Sequence, residues 1–172
     1  MAILKIAKMG HPILNKVANE VKDPTSKEIR TLVNDMMETL HDLGGSGVGL
    51  AAPQVHVSLQ VVIFELPDEN QEYKSSKLIT LINPKIKPLT KKTETDWEGC
   101  LSVPGLRGKV TRPNKIKYSG LDLNGNKIDN LAEGFHARVV QHECDHLFGI
   151  LYPQRMKNLE TLQFVSEARH WT

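Results

Sequence analysis

The sequence predicts an α+β fold, in which largely antiparallel strands pack around a central HExxH-bearing helix, with an N-terminal and a C-terminal helix. Apolar residues recur at helical spacing near the N-terminus and again after residue 135. The region between them contains short apolar runs bounded by turn residues, which are typical of strands. Because helical and strand segments are separated along the chain, the α+β class follows. A length of 172 residues suits one domain, and we expect a single domain over residues 1–172.

The first predicted helix begins at a capping box, Thr25-Ser26-Lys27-Glu28, in which the Thr25 hydroxyl accepts a hydrogen bond from a first-turn N–H group. One apolar stripe then follows, formed by Ile29, Leu32, Val33, Met36, Met37 and Leu40. Gly44 and Gly45 predict the end of this helix.

Strands are predicted at residues 59–66 and 78–82, where apolar residues form nearly continuous runs. Two later strand segments, at 115–118 and 127–128, flank Asn124-Gly125, a dipeptide that favours a two-residue hairpin turn. Together these segments predict a largely antiparallel sheet.

Helical spacing returns from Phe135 to Leu147, and Gly149 marks the end of this second helix. A last helix is predicted over residues 159–168. The second helix therefore contains the stretch QHECDH, which is the richest in side chains that bind metals.

Composition excludes several classes of protein. The net charge of +2 comes from interspersed acids and bases, so no nucleic-acid surface is expected. No apolar run approaches the roughly 20 residues of a membrane span, and the N-terminal residues show neither a secretory signal nor a transit peptide. Two cysteines do not form a disulfide framework. We therefore expect a cytoplasmic protein with free thiols.

The stretch QHECDH, residues 141–146, contains two histidines at a spacing of four. On a helix such residues share a face, so the imidazoles of His142 and His146 can meet one cation. Glu143 follows the first histidine, near enough to such a cation to act as a general base. This is the HExxH pattern of metallohydrolases, although a helix whose histidines face solvent or the core has the same letters.

A catalytic metal site requires a third protein ligand. One class of metallopeptidase takes a histidine from HExxHxxGxxH, but Tyr152 stands at that position. Another class takes a downstream glutamate, for which Glu160 and Glu167 are the candidates. Cys100, which follows Gly99 in a turn-rich segment, offers a thiolate that suits a borderline or soft divalent metal. The metallopeptidase interpretation therefore lacks its third ligand, whereas Cys/His/His completes a site.

Cys100 also permits a metal-free alternative, a cysteine hydrolase with Cys100 as nucleophile and a histidine as base. That hypothesis leaves the paired histidines and Glu143 unexplained. Cys144, on the apolar side of the helix, is expected to be an inert buried thiol. The alternative is a redox pair with Cys100, whose oxidation would abolish activity.

Three segments in register resemble the signature motifs of the peptide deformylases: GVGLAAPQ at 47–54, EGCLS at 98–102 and QHECDHLFG at 141–149. They occur in that family's order and at its separations. The resemblance implies hydrolysis of the N-formyl group from the N-terminal formylmethionine of newly synthesised polypeptides, with release of formate.

Within that family, the sequence around Cys100 and the pair Ala137-Arg138 resemble the type 1 group, which includes bacterial, mitochondrial and plastid enzymes. Because no transit peptide is evident, a bacterial cytoplasmic enzyme is expected. The segment after Arg155 is short, which argues against docking on the ribosome through a long terminal helix.

The resemblance implies that Cys100, His142 and His146 ligate one divalent metal, with a water molecule at the fourth position. Glu143 would take the proton of this water and later pass it to the leaving amine. The family's metal in the cell is Fe(II), replaceable by zinc, nickel or cobalt, while a tetrahedral His/His/Cys set also suits zinc.

The resemblance also implies that the side chain of Gln54 and the backbone N–H of Leu101 stabilise the oxyanion. The Gly49 backbone would pair with an extended peptide substrate. The residues that match the family's methionine pocket are Val48, Phe135 and Val139, with the ring of His142.

Two acidic residues near the predicted ligands are expected to support them. Glu98 would pair with Arg107 or Arg112 and hold the loop of Cys100, while Asp145 would make a structural hydrogen bond away from the ligand face. The expected partners are N-formylmethionyl nascent peptides and, transiently, the ribosome. We expect a monomer that binds neither nucleic acid nor membrane.

Overall fold

The fold is described from a computed structural model, which defines residues 2–44, 47–67 and 76–170. These residues include two α-helices, α1 (Lys27–Asp42) and α2 (Gly134–Leu147). The strands are β1 (Gly49–Ala51), β2 (Val61–Pro67), β3 (Ser76–Pro88), β4 (Thr93–Cys100), β5 (Val103–Pro113), β6 (Lys115–Leu121), β7 (Lys127–Glu133) and β8 (Gln163–Phe164). Among the helices of the described residues, none is both long and apolar enough to cross a membrane.

The strands form two sheets, one with the order β1-β2-β3-β6-β7 and a smaller one with the order β4-β5-β8. Every pairing between these strands is antiparallel, so the predicted α+β class with antiparallel strands is confirmed. Among the described strands, β1 pairs with β2 alone and lies at the edge of the larger sheet. An edge strand keeps backbone groups available for another extended chain.

Strand β2 is buried on both faces and separates two hydrophobic cores. Val61 and Ile63 pack into one core with the apolar stripe of α1, whereas Val62 and Phe64 pack into the other with residues of α2. Alternate residues of a strand point to opposite faces, so α1 and α2 cover opposite sides of the larger sheet. Each buried side chain of this size contributes roughly 1.5–3 kcal/mol.

Helix α1 has the predicted apolar stripe, but its N-cap lies one residue later than the predicted Thr25. Ser26 is the N-cap, and its hydroxyl accepts a hydrogen bond from the N–H of Ile29 at 3.4 Å. The Thr25 hydroxyl instead donates to Asp23 at 2.7 Å. At the other end Gly44 follows with φ +59°, and Gly45 lies outside the described residues.

Strands β6 and β7 form the predicted hairpin, but the prediction of a two-residue turn is wrong. The connection comprises the five residues 122–126 between the ends of the two strands. Oδ1 of Asp122 accepts the N–H groups of Asn124 and Asn126, each at 2.8 Å. The Asp122 carboxylate therefore stabilises a wider loop, in which Gly125 takes φ +77°.

The segment around Cys100, predicted to be rich in turns, is a long antiparallel hairpin. β4 and β5 pair from Thr93–Pro113 to Cys100–Val103, and only Leu101 and Ser102 form the turn. Cys100 therefore stands at the end of a strand, where pairing restrains its backbone.

The predicted C-terminal helix over residues 159–168 is wrong. Gln163 and Phe164 form β8, which pairs with Leu106 and Arg107 of β5, and a 3₁₀ helix follows at Val165–His170. The open edge of β5 offers backbone partners to this segment, so tertiary pairing overrides local helical propensity.

Candidate active site

The three predicted ligands meet where the end of β4 faces α2. Sγ of Cys100 and one ring nitrogen from each of His142 and His146 all lie within 4.8 Å of one another. Sγ of Cys100 is 3.4 Å from Nε2 of His146. Residues separated by more than 40 positions thus form one group, because the β4–β5 hairpin ends against the helix.

Glu98 orients the first histidine. Its Oε2 lies 2.8 Å from Nδ1 of His142, so Nε2 is the ring nitrogen left for a ligand. Glu98 also accepts two hydrogen bonds from Arg112, at 2.6 and 2.9 Å. Of the two arginines predicted to pair with Glu98, Arg112 does so. Arg107 instead stacks over Trp97, with its guanidinium 4.3 Å from the ring centroid.

Asp145 makes the expected structural hydrogen bonds, with two arginines. It accepts hydrogen bonds from Arg112 at 2.8 Å and from Arg155 at 2.6 Å. Arg112 pairs with both Asp145 and Glu98, and Glu98 in turn pairs with His142. A network of ion pairs therefore connects Asp145 to His142.

Glu143 is buried beside the predicted ligands, with 4% of its surface exposed. Burial raises the pKa of its carboxyl to about 7, since the repulsion from Glu98 adds to desolvation while His142 and Arg112 only partly offset it. A carboxyl that titrates near neutral pH can both accept and donate a proton during turnover.

The two histidines differ in their electrostatic surroundings. Burial would lower the pKa of His142, but its hydrogen bonds with Cys100 and Glu98 raise that pKa well above the usual value. Burial and repulsion from His142 hold the pKa of His146 well below the usual value for histidine. For Glu98, desolvation is outweighed by Arg112 and His142, so its pKa lies well below the usual range.

The donor set fits a borderline divalent cation, since one thiolate and two imidazoles match known three-ligand catalytic sites. Two buried atoms in this region, Oε2 of Glu143 and Nδ1 of His146, have no hydrogen-bond partner within the described part of the chain. Buried polar atoms are nearly always paired, so the unpaired Oε2 of Glu143 indicates that solvent or a bound group completes the site. The unpaired Nδ1 of His146 lies on the other side of its ring from Nε2, the nitrogen that faces Cys100.

Gln54 is held rigidly beside Cys100. Its Oε1 accepts the N–H of Ala51 at 2.8 Å, and its Nε2 donates to the hydroxyl of Ser102 at 3.1 Å. Nε2 also lies 3.6 Å from Sγ of Cys100. The amide is therefore oriented with its N–H₂ group toward Cys100, one of the predicted ligands, and Ser102, to which no role was assigned from sequence, helps to hold it there.

A cleft of about 630 Å³ opens over this group. Val48 and Phe135 stand at its exposed rim, whereas Val139 is buried. His146 is not among the lining residues and is buried behind them. The predicted residues that line the cleft are Val48, Gly49, Gln54, Cys100, Leu101, Phe135, Val139, His142 and Glu143.

Within the described residues, neither alternative for the third ligand joins the group formed by Cys100, His142 and His146. Tyr152 is buried, and its ring lies nearly parallel to that of His142 at a centroid distance of 6.4 Å. Glu160 is exposed and hydrogen-bonded to Asn158, and Glu167 is also exposed. The metallopeptidase interpretation therefore gains no ligand from the structure.

Cys144 belongs to the core between α2 and the larger sheet, and only 3% of its surface is exposed. Burial raises its thiol pKa far above the usual value. Both Cys100 and Cys144 are free thiols in the structure. Cys144 thus matches the description of an inert buried thiol.

A polypeptide deformylase family model matches residues 3–162 of the chain. Peptide deformylase 2 of Ralstonia nicotianae is 50% identical over 165 residues, covering 94% of this chain and 92% of the relative. Peptide deformylase 1 of Bordetella pertussis is 52% identical over 157 residues, covering 90% and 88% respectively.

Solved structures agree. The Met-Ala-Ser-bound class I type b peptide deformylase of Acinetobacter baumannii superposes with a TM-score of 0.80 at 36% identity, covering 90% of this chain and 99% of that one. The actinonin complex of the Ehrlichia chaffeensis enzyme superposes with a TM-score of 0.83 at 36% identity, covering 93% and 92%. The family model spans most of the chain and the relatives are about half identical to it, so the chain belongs to the polypeptide deformylases, hydrolases that remove the N-formyl group from nascent peptides.

Proposed function

We propose that residues 1–172 act as one catalytic domain that deformylates formylmethionyl peptides at a metal centre of Cys100, His142 and His146. The observation that carries this proposal is the meeting of three ligand atoms within 4.8 Å, beside the buried carboxyl of Glu143. The helix that bears HExxH supplies two of the ligands and the base, and the β4–β5 hairpin supplies the third.

A divalent cation bound there would act as a Lewis acid toward the formyl oxygen and would lower the pKa of a water molecule enough for attack near neutral pH. We propose Fe(II) in the cell, with zinc, nickel or cobalt able to take its place. The mixed thiolate and imidazole donors support this choice over Mg²⁺ or Ca²⁺, which prefer oxygen ligands.

Glu143 is the proposed proton carrier. It accepts a proton from the attacking water as the new bond between oxygen and the formyl carbon forms. It then donates that proton to the nitrogen as the C–N bond breaks, which releases formate and a free amino terminus. Its burial and its pKa of about 7 support both roles.

Gln54 and Leu101 are proposed to stabilise the oxyanion. The anchored side-chain amide of Gln54 and the backbone N–H of Leu101, at the turn after Cys100, donate to the oxygen that gains negative charge. The hydrogen bonds of Gln54 with Ala51 and Ser102 support this role, because a preorganised donor needs no reorientation during the reaction.

The methionine side chain of the substrate is proposed to enter the apolar part of the cleft, between Val48, Phe135 and Val139. The extended peptide would pair with the free edge of β1 at Gly49. We propose nascent chains near the ribosome as the natural substrates of a monomeric, cytoplasmic enzyme, and the bacterial origin of the relatives supports this setting.

The proposal is tested by anaerobic purification, metal analysis and measurement of formate release from N-formyl-Met-Ala-Ser. Glu143→Ala should retain the metal and lose roughly 10²–10⁴-fold or more in kcat. Glu160→Ala, which removes an exposed glutamate, serves as the control and should keep normal turnover. Near-normal turnover by Glu143→Ala, or a chain that binds no metal, would contradict the mechanism.

A further inference from the structure

Arg138 stands on the same side of α2 as the two histidine ligands. It precedes His142 by four residues and His146 by eight, so the three side chains form one stripe along the helix. Although arginine is normally exposed, only 7% of Arg138 is accessible to solvent. A buried guanidinium needs several hydrogen-bond acceptors, and their identity indicates what this residue does.

The guanidinium of Arg138 joins α2 to both strands of the hairpin that carries Cys100. Nη1 donates to the carbonyl of Val110 in β5 at 2.9 Å, and Nη2 donates to the carbonyl of Glu94 in β4 at 2.9 Å. Since α2 supplies His142 and His146 while β4 supplies Cys100, these contacts join the two elements that bear the proposed ligands.

Arg138 also contacts the carboxylate that orients His142. Nη1 donates to Oε1 of Glu98 at 2.7 Å, and the same oxygen accepts Nε of Arg112 at 2.6 Å. The other oxygen, Oε2, is shared by Arg112 and Nδ1 of His142. Each oxygen of Glu98 thus has two partners, so the carboxylate cannot rotate without breaking hydrogen bonds on both sides.

We propose that Arg138 is a positioning residue of the metal centre. It acts through Glu98 on the ring orientation of His142, and through the two strand carbonyls on the distance between Cys100 and the histidines. This inference rests on the proposed metal centre. A planar guanidinium can reach all three acceptors at once, whereas the single ammonium of lysine cannot hold the same geometry.

The test measures metal affinity, which does not require substrate. The cobalt-loaded enzyme is equilibrated with a competing chelator, and cobalt retention is compared for wild-type, Arg138→Met and Arg138→Lys. Loss of a residue that orients a metal ligand typically weakens affinity 10–100-fold, so we expect about 10-fold or more for Arg138→Met and a smaller loss for Arg138→Lys. The lysine variant keeps the test valid if the methionine variant does not fold.

Two controls separate positioning from general stabilisation. Arg30→Met removes another arginine that donates to backbone, at the carbonyls of Thr25 and Leu123, with no contact to Glu98 among its hydrogen bonds. Its cobalt affinity should equal that of wild-type. In a Glu98→Gln background, Arg138→Met should weaken cobalt binding less than in the wild-type chain, because the part of its effect that passes through Glu98 is already lost.

Unchanged cobalt affinity in both Arg138 variants would overturn the inference, and fully additive effects of Glu98→Gln and Arg138→Met would overturn the action of Arg138 through Glu98. Failure of the wild-type chain to bind one cobalt would instead contradict the proposed metal centre itself. The two failures are therefore distinguishable in one set of measurements.

Discussion

The backbone of Gly49 lies directly against the side chain of Glu143: a Cβ atom at Gly49 would stand 2.5 Å from Oε1 and 2.7 Å from Cγ. Side-chain atoms do not approach a Cβ this closely, so glycine at this position is what allows the buried carboxyl to take its place. The edge strand β1 therefore packs directly against Glu143, the proposed proton carrier on α2.

Gly49→Ala should displace the Glu143 carboxyl and lower kcat by about 100-fold, because misplacement of a catalytic group by about 1 Å can cost that much. Metal content should remain that of wild-type, since Gly49 is not one of the proposed metal ligands. Gly125→Ala is the control: φ +77° makes alanine unfavourable there, so stability falls by roughly 1 kcal/mol while kcat is unchanged. Normal kcat in Gly49→Ala would show that Glu143 need not occupy its observed position.

Cys100 and His146 are close enough for a nucleophile–base pair, and chelation discriminates between that chemistry and a metal centre. Removal of the metal by a chelator should abolish formate release, and added Co(II) or Ni(II) should restore it. Retained activity after complete chelation, together with loss on alkylation, would favour the cysteine hydrolase.

Alkylation should distinguish the two thiols. In the metal-free chain iodoacetamide should modify Cys100, which is partly exposed, and leave Cys144, which is buried and has a strongly raised pKa. Bound metal should protect Cys100. Mass spectrometry of peptides from the native and chelated chains measures both effects, and rapid labelling of Cys144 in the folded chain would contradict its assignment as inert.

Removal of the hydroxyl group should change the free energy of unfolding in opposite directions at two buried tyrosines. The hydroxyl of Tyr152 is buried without a hydrogen-bond partner in the described residues, whereas that of Tyr118 contacts Asn130 and His136, each at 3.2 Å. Tyr152→Phe should raise the free energy of unfolding by about 1 kcal/mol, and Tyr118→Phe should lower it by a similar amount. Urea denaturation measures both, and a destabilised Tyr152→Phe would show that its hydroxyl has a partner.

The carboxyl of Asp122 in the β6–β7 loop should make stability depend on pH. Hydrogen bonds from the side chain and backbone of Asn126 hold the pKa of Asp122 below its usual 3.8. The carboxylate thus stabilises the fold above pH 3.8, and this contribution is lost as the pH falls toward the folded-state pKa. The stability difference between wild-type and Asp122→Asn should be constant from pH 8 to about pH 5 and shrink below about pH 4. A difference that does not vary with pH would contradict this sign.

Short-range patterns in the sequence were sufficient for several elements. The apolar stripe predicted α1, because residues three and four apart share a helix face whatever the rest of the chain does. The same rule placed His142 and His146 together. The cap at Ser26 and the five-residue loop that begins at Asp122 were missed, since neighbouring polar residues compete for the same backbone N–H groups.

Tertiary structure decided what distant residues do. Gln163 and Phe164 pair with β5 instead of forming a helix, because backbone partners at a sheet edge are invisible in the local sequence. Arg138 could have been noticed from its spacing to His142, yet its acceptors, Glu98 among them, become neighbours only when the β4–β5 hairpin packs against α2.

The sequence by itself determined which residues could serve as ligands and base, because the His-Glu-x-x-His spacing is a property of one helix. That Cys100 meets them within bonding range of one cation is decided by tertiary structure. The physical reason is that a contact across more than 40 residues depends on how strands pair and layers pack, whereas helix periodicity depends only on the backbone.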